Sequence, residues 1–176
     1  MISRMLQGTN ISLRAVEASD LDFVHSCEND TNLWHLGATA QPFSKAAIEE
    51  YIEAAQHDIY SSKQLRMMID TLDGRTIGMV DLFDFDPKNQ KVGIGILIAN
   101  PNDRQHGYAK DAIETLSDYC FDILGMHQIY CHITTDNGAS MALFTASGYA
   151  VCGEMKDWVR KGNSFVSAII MQKINA

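Results

Sequence analysis

Between Arg104 and Lys110 the chain reads Arg-Gln-His-Gly-Tyr-Ala-Lys, set between an apolar run (Ile94, Ile96, Leu97, Ile98) and a segment with helical spacing. A strand that feeds a glycine-containing turn and opens directly into a helix aims several backbone N–H groups at one point, at the positive end of the helix dipole. An anion fits there. Arg104, His106 and Lys110 add cationic side chains, so a diphosphate suits the stretch better than a lone carboxylate. The plain alternative is a strand-to-helix connection with solvated basic residues. Two other phosphate-binding patterns fail on spacing. There is no Gly-x-x-x-x-Gly-Lys-(Ser/Thr), and Gly93-Ile94-Gly95 lacks a third glycine and continues as strand. Those two glycines suit a bulge or a close backbone approach.

The elements that must position this stretch follow from periodicity. Ile11 to Arg14 alternates as a short strand, and Ser19 with Asp22 resembles a capping box opening a helix with Leu21, Val24 and His25 on one face. That helix should fade at Asn29 to Asn32. Trp34 to Pro42 is loop-like, and Ser44 caps a second helix carrying Ala47, Ile48, Tyr51, Ile52 and Ala55. The two helices could form one wall of a cleft, with Trp34 and Phe43 either in that wall or plugging the edge of the core. Leu65 to Thr71 and Thr76 to Asp84 read as strands joined at Asp73-Gly74, and after a turn at Pro87 to Gln90 the strand Val92 to Ala99 leads back to the basic stretch. Ala109 to Leu124 is a long helix closed by Gly125. Ile129 to Thr134 is another strand, reached by a parallel, right-handed crossover. A short helix from Ala139 to Ser147 ends at Gly148, and the strands Tyr149 to Val159 and Phe165 to Met171 flank a turn at Gly162-Asn163. The expected fold is α+β, one domain over residues 1–176, with a mixed, mostly antiparallel sheet of about seven strands and about four helices.

Composition limits the function classes. A chain of 176 residues that is 46% hydrophobic and 20% charged can bury a core without staples. No run of about 20 apolar residues exists to cross a bilayer, and Met1 to Asn10 has no signal-peptide apolar stretch, so a cytoplasmic location is the expectation. A net charge of −8 disfavours nucleic acid. Cys27, Cys120, Cys131 and Cys152 are scattered singly and read as reduced residues, without metal-ligand spacing.

Two segments carry a resemblance. Arg104-Gln105-His106-Gly107-Tyr108-Ala109 is similar to the Arg/Gln-x-x-Gly-x-Gly/Ala signature of the GNAT N-acetyltransferase superfamily, after an apolar strand and before a long helix. Asn137-x-x-Ser140-x-x-x-Phe144 followed by Gly148-Tyr149 resembles the family's Asn-x-x-(Ala/Ser)-x-x-x-Tyr…Gly-Phe/Tyr segment. The resemblance runs from Ile11 to Lys173. Within the superfamily the chain looks most like the spermidine/spermine N-acetyltransferases, through Leu13-Arg14…Asp20-Leu21 and Val80-Asp81-Leu82…Asp84.

The resemblance implies acetyl-CoA as co-substrate and an amine as acceptor. Its pyrophosphate would lie on the N–H groups of Gln105 to Ala109, flanked by Arg104, His106 and Lys110, with Gly107 admitting the backbone closely and Tyr108 and Ala109 opening the helix. The pantetheine arm would lie beside Leu97, Ile98 and Ala99, where this strand splays from Ile129 to Thr134, with Asn137 reaching it from the far side and Ser140 nearby. The N–H of Ile98 would face the thioester oxygen and stabilise the tetrahedral oxyanion. Acetyl transfer needs a neutral amine and a protonated leaving thiolate. For the first, Asp81, Asp84 and Glu28 are the carboxylates expected on the acceptor side, each equally readable as a solvated or ion-paired acid.

Two departures matter. At position 144 the family usually has its tyrosine acid, and Phe144 fills that space without a proton to give. Water could protonate the thiolate, another group such as Tyr108, His106 or His132 could, or the chain could be a non-catalytic acyl-CoA-binding module. The reference thiol pKa of about 8.5 makes a thiolate a tolerable leaving group, so an enzyme remains the expectation. The loop Thr39-Ala40-Gln41-Pro42 lacks the acidic pair that precedes the proline in the polyamine enzymes. Glu28, Asp30, Trp34, Asp81, Asp84 and Asp86 could still build an acidic acceptor pocket. The expected partner is thus a small-molecule or peptide amine: spermidine first, then a protein N-terminus, an amino sugar or an aminoglycoside. No nucleic acid, membrane or metal is expected, and a homo-oligomer stays open.

Overall fold

The computed structural model describes residues 6–37 and 39–176; the leader reading of Met1 to Asn10 and the loop reading of Trp34 to Pro42 fall partly outside them. Seven strands form one sheet in the order β1-β2-β3-β4-β5-β7-β6: β1 Ile11–Ala15, β2 Leu65–Thr71, β3 Thr76–Asp86, β4 Lys91–Ile98, β5 Gln128–Thr134, β6 Ala150–Lys161 and β7 Ser164–Ile174. Every neighbouring pair is antiparallel except β4 and β5. The helices are α1 Leu21–Glu28, α2 Lys45–Ala54, α3 Ile59–Ser62, α4 Tyr108–Asp122 and α5 Gly138–Ala146. Among the described residues no helix is long and apolar enough to cross a membrane.

Alternation in the strands divides the core in two. Ile69, Val80, Leu82, Ile94, Ile98, Ile129 and Cys131 point to the face covered by α4 and α5, where they meet Ile113, Leu116, Cys120 and Phe144. Met68, Met79 and Leu97 point to the opposite face, covered by α1 and α2 through Val24, Cys27, Ile48 and Ile52. The second helix begins as its cap predicts, with Ser44 Oγ accepting the Ala47 N–H at 3.1 Å. The first does not begin as expected. Asp20 is held by Arg14 at 2.8 Å and accepts the Glu17 N–H at 2.8 Å, so a 3-10 turn over Ala18–Asp20 precedes α1 and Ser19 is not its cap. Three further one-turn elements were not expected: α3, capped by Asp58, and 3-10 turns at Trp34–Leu36 and Pro101–Asp103.

Candidate active site

Strands β4 and β5 pair at three positions only: Lys91↔Gln128, Val92↔Ile129 and Gly93↔Tyr130. Beyond Gly93 they separate. Ala99 donates its N–H to Ile77 O at 3.0 Å, so alternation turns the N–H and C=O of Ile96 and Ile98 away from β3 and into the gap. Leu97 and Ala99 turn theirs toward β3, leaving Ile98 as the one of the three expected residues whose backbone polar groups face the gap. Its carbonyl accepts from the Arg104 guanidinium at 3.3 Å.

A cleft of about 290 Å³ occupies this gap and crosses the sheet. On the α5 side it is lined by Asn137, Ser140 and Phe144. Asn137 caps α5, its Oδ1 accepting from the Ser140 N–H at 3.2 Å. Phe144 is buried, and its ring packs T-shaped with that of Tyr149 at a centroid distance of 5.0 Å. On the α1 side the walls include Glu28, Trp34, His35, Arg66, Asp81 and His132. Trp34 is thus part of the wall, its Nε1 donating to Glu28 O at 2.8 Å, whereas Phe43 packs on the core between α1 and α2.

The residue that organises this wall is Arg66. Its Nε and one terminal nitrogen donate to the two oxygens of Asp81 at 2.6 and 3.0 Å, and its other terminal nitrogen reaches Glu28 at 2.6 Å. The guanidinium also lies 5.3 Å from the centre of the Tyr51 ring. Burial opposes its charge, but the carboxylate of Asp81 first, and then Tyr51 and Glu28, hold its pKa above the usual value. Burial likewise pushes the Tyr51 hydroxyl upward. Sequence spacing did not find Arg66, since its partners lie 15 and 38 positions away. The available signal was a guanidinium beside the apolar run Met67, Met68 and Ile69 of the strand Leu65–Thr71.

The turn before α4 lies outside the cleft lining. Gln105 and Gly107 both have positive φ, 63° and 80°, which bends the chain sharply into the helix. The first intrahelical bond runs from Asp111 N–H to Gly107 O, so the N–H groups of Tyr108, Ala109 and Lys110 open the helix ahead of it. His106 Nε2 contacts Asn102 O at 2.9 Å, and Lys110 pairs with Glu114 at 2.6 Å. The Asp111 carboxylate accepts from the N–H groups of Thr9, Asn10 and Ile11, pinning the segment before β1 against the helix. Asp30 and Asp84 do not line the cleft. Asp30 accepts from Asn32, and Asp84, exposed at a bulge with φ 50°, accepts from the Tyr130 hydroxyl at 3.4 Å.

This architecture has known relatives. A family model described as the acetyltransferase (GNAT) domain matches residues 10–150. The chain belongs to the GNAT acetyltransferase family. It is similar to the spermidine N(1)-acetyltransferase of Vibrio cholerae, 26% identical over 147 residues, covering 84% of this chain and 83% of that one. It is also similar to the spermidine N(1)-acetyltransferase of Escherichia coli, 23% identical over 146 residues, covering 83% of this chain and 76% of that one. Among solved structures, the Vibrio cholerae spermidine N-acetyltransferase in complex with CoA and spermine superposes with a TM-score of 0.83 at 24% identity, covering 94% of this chain and 96% of that one. A dodecameric form of that enzyme in an intermediate state superposes with a TM-score of 0.78 at 24% identity, covering 94% of each chain. The splayed β4–β5 gap and the helix-opening turn are therefore parts of a GNAT fold. The backbone groups of Ile96 and Ile98 in the gap and the open N–H groups of Tyr108 to Lys110 suit an extended, phosphate-bearing ligand such as a CoA ester.

Proposed function

We propose that this protein transfers the acetyl group of acetyl-CoA to a primary amine, with polyamines such as spermidine as the leading acceptors. The observation that carries the reading is the gap itself, a cleft open across the sheet with backbone polar groups on one wall and two carboxylates grouped around Arg66 on the α1 side. Arg104, Gln105, His106, Gly107, Tyr108, Ala109 and Lys110 hold the pyrophosphate. Leu97, Ile98 and Ala99 flank the pantetheine, with Asn137 and Ser140 opposite. The Ile98 N–H receives the developing oxyanion. Phe144 packs beneath the thioester.

On the acceptor side, Glu28, Asp81 and Trp34 receive the amine, with Asp30 and Asp84 outside the cleft as a wider acidic surround. Arg66 offsets one of the two nearest carboxylates, leaving one net negative charge in the wall. That charge suits one protonated amine of a polyamine or, as a second acceptor class, a singly charged amine such as an amino sugar or a peptide N-terminus. The names of the curated relatives favour the polyamine.

The test is thiol release from acetyl-CoA across spermidine, spermine, glucosamine, an aminoglycoside and a peptide with a free N-terminus. Fastest release with spermidine or spermine is expected. Release confined to glucosamine, the aminoglycoside or the peptide would replace the polyamine by that acceptor. We further propose a homo-oligomer in solution, for which the exposed Val151, Trp158, Phe165 and Ile174 of the β6–β7 hairpin and the dodecameric relative speak.

A further inference from the structure

Phe144 leaves the reaction without a proton donor beneath the sulfur, and the carboxylates of the acceptor wall are poor substitutes. Both oxygens of Asp81 and one of Glu28 accept charge-assisted hydrogen bonds from Arg66, so these lone pairs are already engaged and turned away from an incoming amine proton. Cys131 lines the cleft but burial pushes its thiol up to about 12, and burial raises the Cys27 thiol as well. Among the described residues of the lining, the remaining side chains able both to accept and to donate a proton in general acid–base chemistry are two imidazoles, His35 and His132.

Register singles out His132. The last β4–β5 bridge is Gly93↔Tyr130, and Phe83 contacts Tyr130 on the α1 side of the sheet. Strand alternation therefore makes His132 the first β5 side chain beyond the fork on that side. On β4 the matching residue is Gly95, paired across to Asp81, which in turn pairs with Arg66. A Cβ built on Gly95 meets only the Cβ of Asp81, at 4.0 Å. One row across the sheet thus runs Arg66, Asp81, a side-chain-free position, then His132, with the fork in front of the empty place. An amine bound there has a carboxylate on one hand and an imidazole on the other.

Resting on the N-acetyltransferase reading, we propose that His132 is the proton-transfer residue of the reaction, carrying the proton released by the attacking amine to the departing sulfur. As the amine nitrogen bonds to the thioester carbonyl carbon, His132 takes one N–H proton. The C–S bond breaks with its electron pair on sulfur, and the imidazolium returns the proton there, leaving an amide, a thiol and neutral His132. The imidazole has Tyr130 on its own strand, with ring centres 5.6 Å apart, and shares the cleft lining with Asp81 from β3, Arg66 from β2, Glu28 and Cys27 from α1, Cys131 from β5 and His35 from the 3-10 turn. On the β7 side its partner is Ile170, and Gly153 of β6 lies beyond, adding no charge.

The test compares kcat/KM against pH for wild type, His132→Gln and His132→Ala, using the fastest amine of the panel, and reads CoA affinity by calorimetry in parallel. The expected result is a fall of roughly 100-fold in both variants, loss of the acidic limb of the profile, unchanged CoA affinity, and partial rescue of His132→Ala by added imidazole. In the wild type, the ring-proton resonance of His132 should shift its titration when spermidine and CoA bind together. Wild-type rate and pH profile in His132→Gln overturn the proposal, as does loss of the limb in His35→Gln instead. A fall in CoA affinity matching the fall in rate also overturns it, marking His132 as a binding residue. A wild type silent with every amine overturns the acetyltransferase reading first and this one with it.

Discussion

Two arginines on the same face of the sheet show how neighbouring side chains with the same chemistry take different roles. Arg14 bridges Asp20 and Asp70 at 2.8 and 2.6 Å away from the cleft, whereas Arg66 bridges Glu28 and Asp81 within it. The first cluster is structural. The hydrogen bonds from Arg14 hold the buried Asp20 carboxyl below its usual pKa, against the opposing effect of burial. A depressed folded-state pKa stabilises the protein above the usual carboxylate range, and that stability is lost as pH falls through the folded value. Asp20→Asn should therefore lower urea stability at pH 7 by about 1.5–3 kcal/mol, with the difference closing in acid. A gap that persists undiminished below pH ~3 would contradict this assignment. At the second site, Phe144→Tyr restores a hydroxyl under the thioester, and kcat should rise by up to roughly 100-fold. Its ring is already fixed by Tyr149, so the fold should tolerate the change. An unchanged kcat would show that protonation of the thiolate does not limit the enzyme.

At the scale of elements, two β-strand glycines have opposite constraints. A Cβ on Gly78 would lie 2.0 Å from Leu97 O, inside the β3–β4 ladder, whereas the space above Gly95 is open. Gly78→Ala should cost about 1–3 kcal/mol by forcing the strands apart, readable as a lower thermal midpoint. Gly95→Val should fold but raise KM for the amine while leaving CoA affinity unchanged, because its side chain would enter the row between Asp81 and His132. Equal loss of CoA affinity would place Gly95 on the wrong side of the cleft. The same elements show what the sequence makes legible. Leu65–Thr71 is found residue for residue, because alternation and the Asp73-Gly74 turn agree, and α4 begins one residue before its expected start. The four-residue α3 is too short to show a helical period. The gap was expected only through family resemblance, since no local signal says that β4 and β5 part after Gly93. Arg66 was missed because its meaning lies in contacts between α1, β2 and β3, which no spacing along one element encodes.

Across the whole molecule, the sheet has a closed end and an open end. Helices cover β2 to β4 on both faces, while the β6–β7 hairpin leaves Val151, Trp158, Phe165 and Ile174 exposed. Light scattering should give a mass that is a multiple of the 19.6 kDa chain, and Trp158→Glu should shift it toward the single chain. A monomer at every concentration would assign the hairpin another role. The thiols follow the same division: Cys27, Cys120 and Cys131 are buried and Cys152 is exposed, so Cys152 alone should react rapidly with a thiol reagent in the native state. The central claim is that the fork between β4 and β5 is where an acetyl group passes from sulfur to an amine. It is tested most directly by mixing the protein with acetyl-CoA and spermidine, following thiol release, and weighing the amine by mass spectrometry. The account predicts CoA release in step with one acetyl group gained by the polyamine; CoA release with spermidine unmodified, or no release with any amine of the panel, would contradict it.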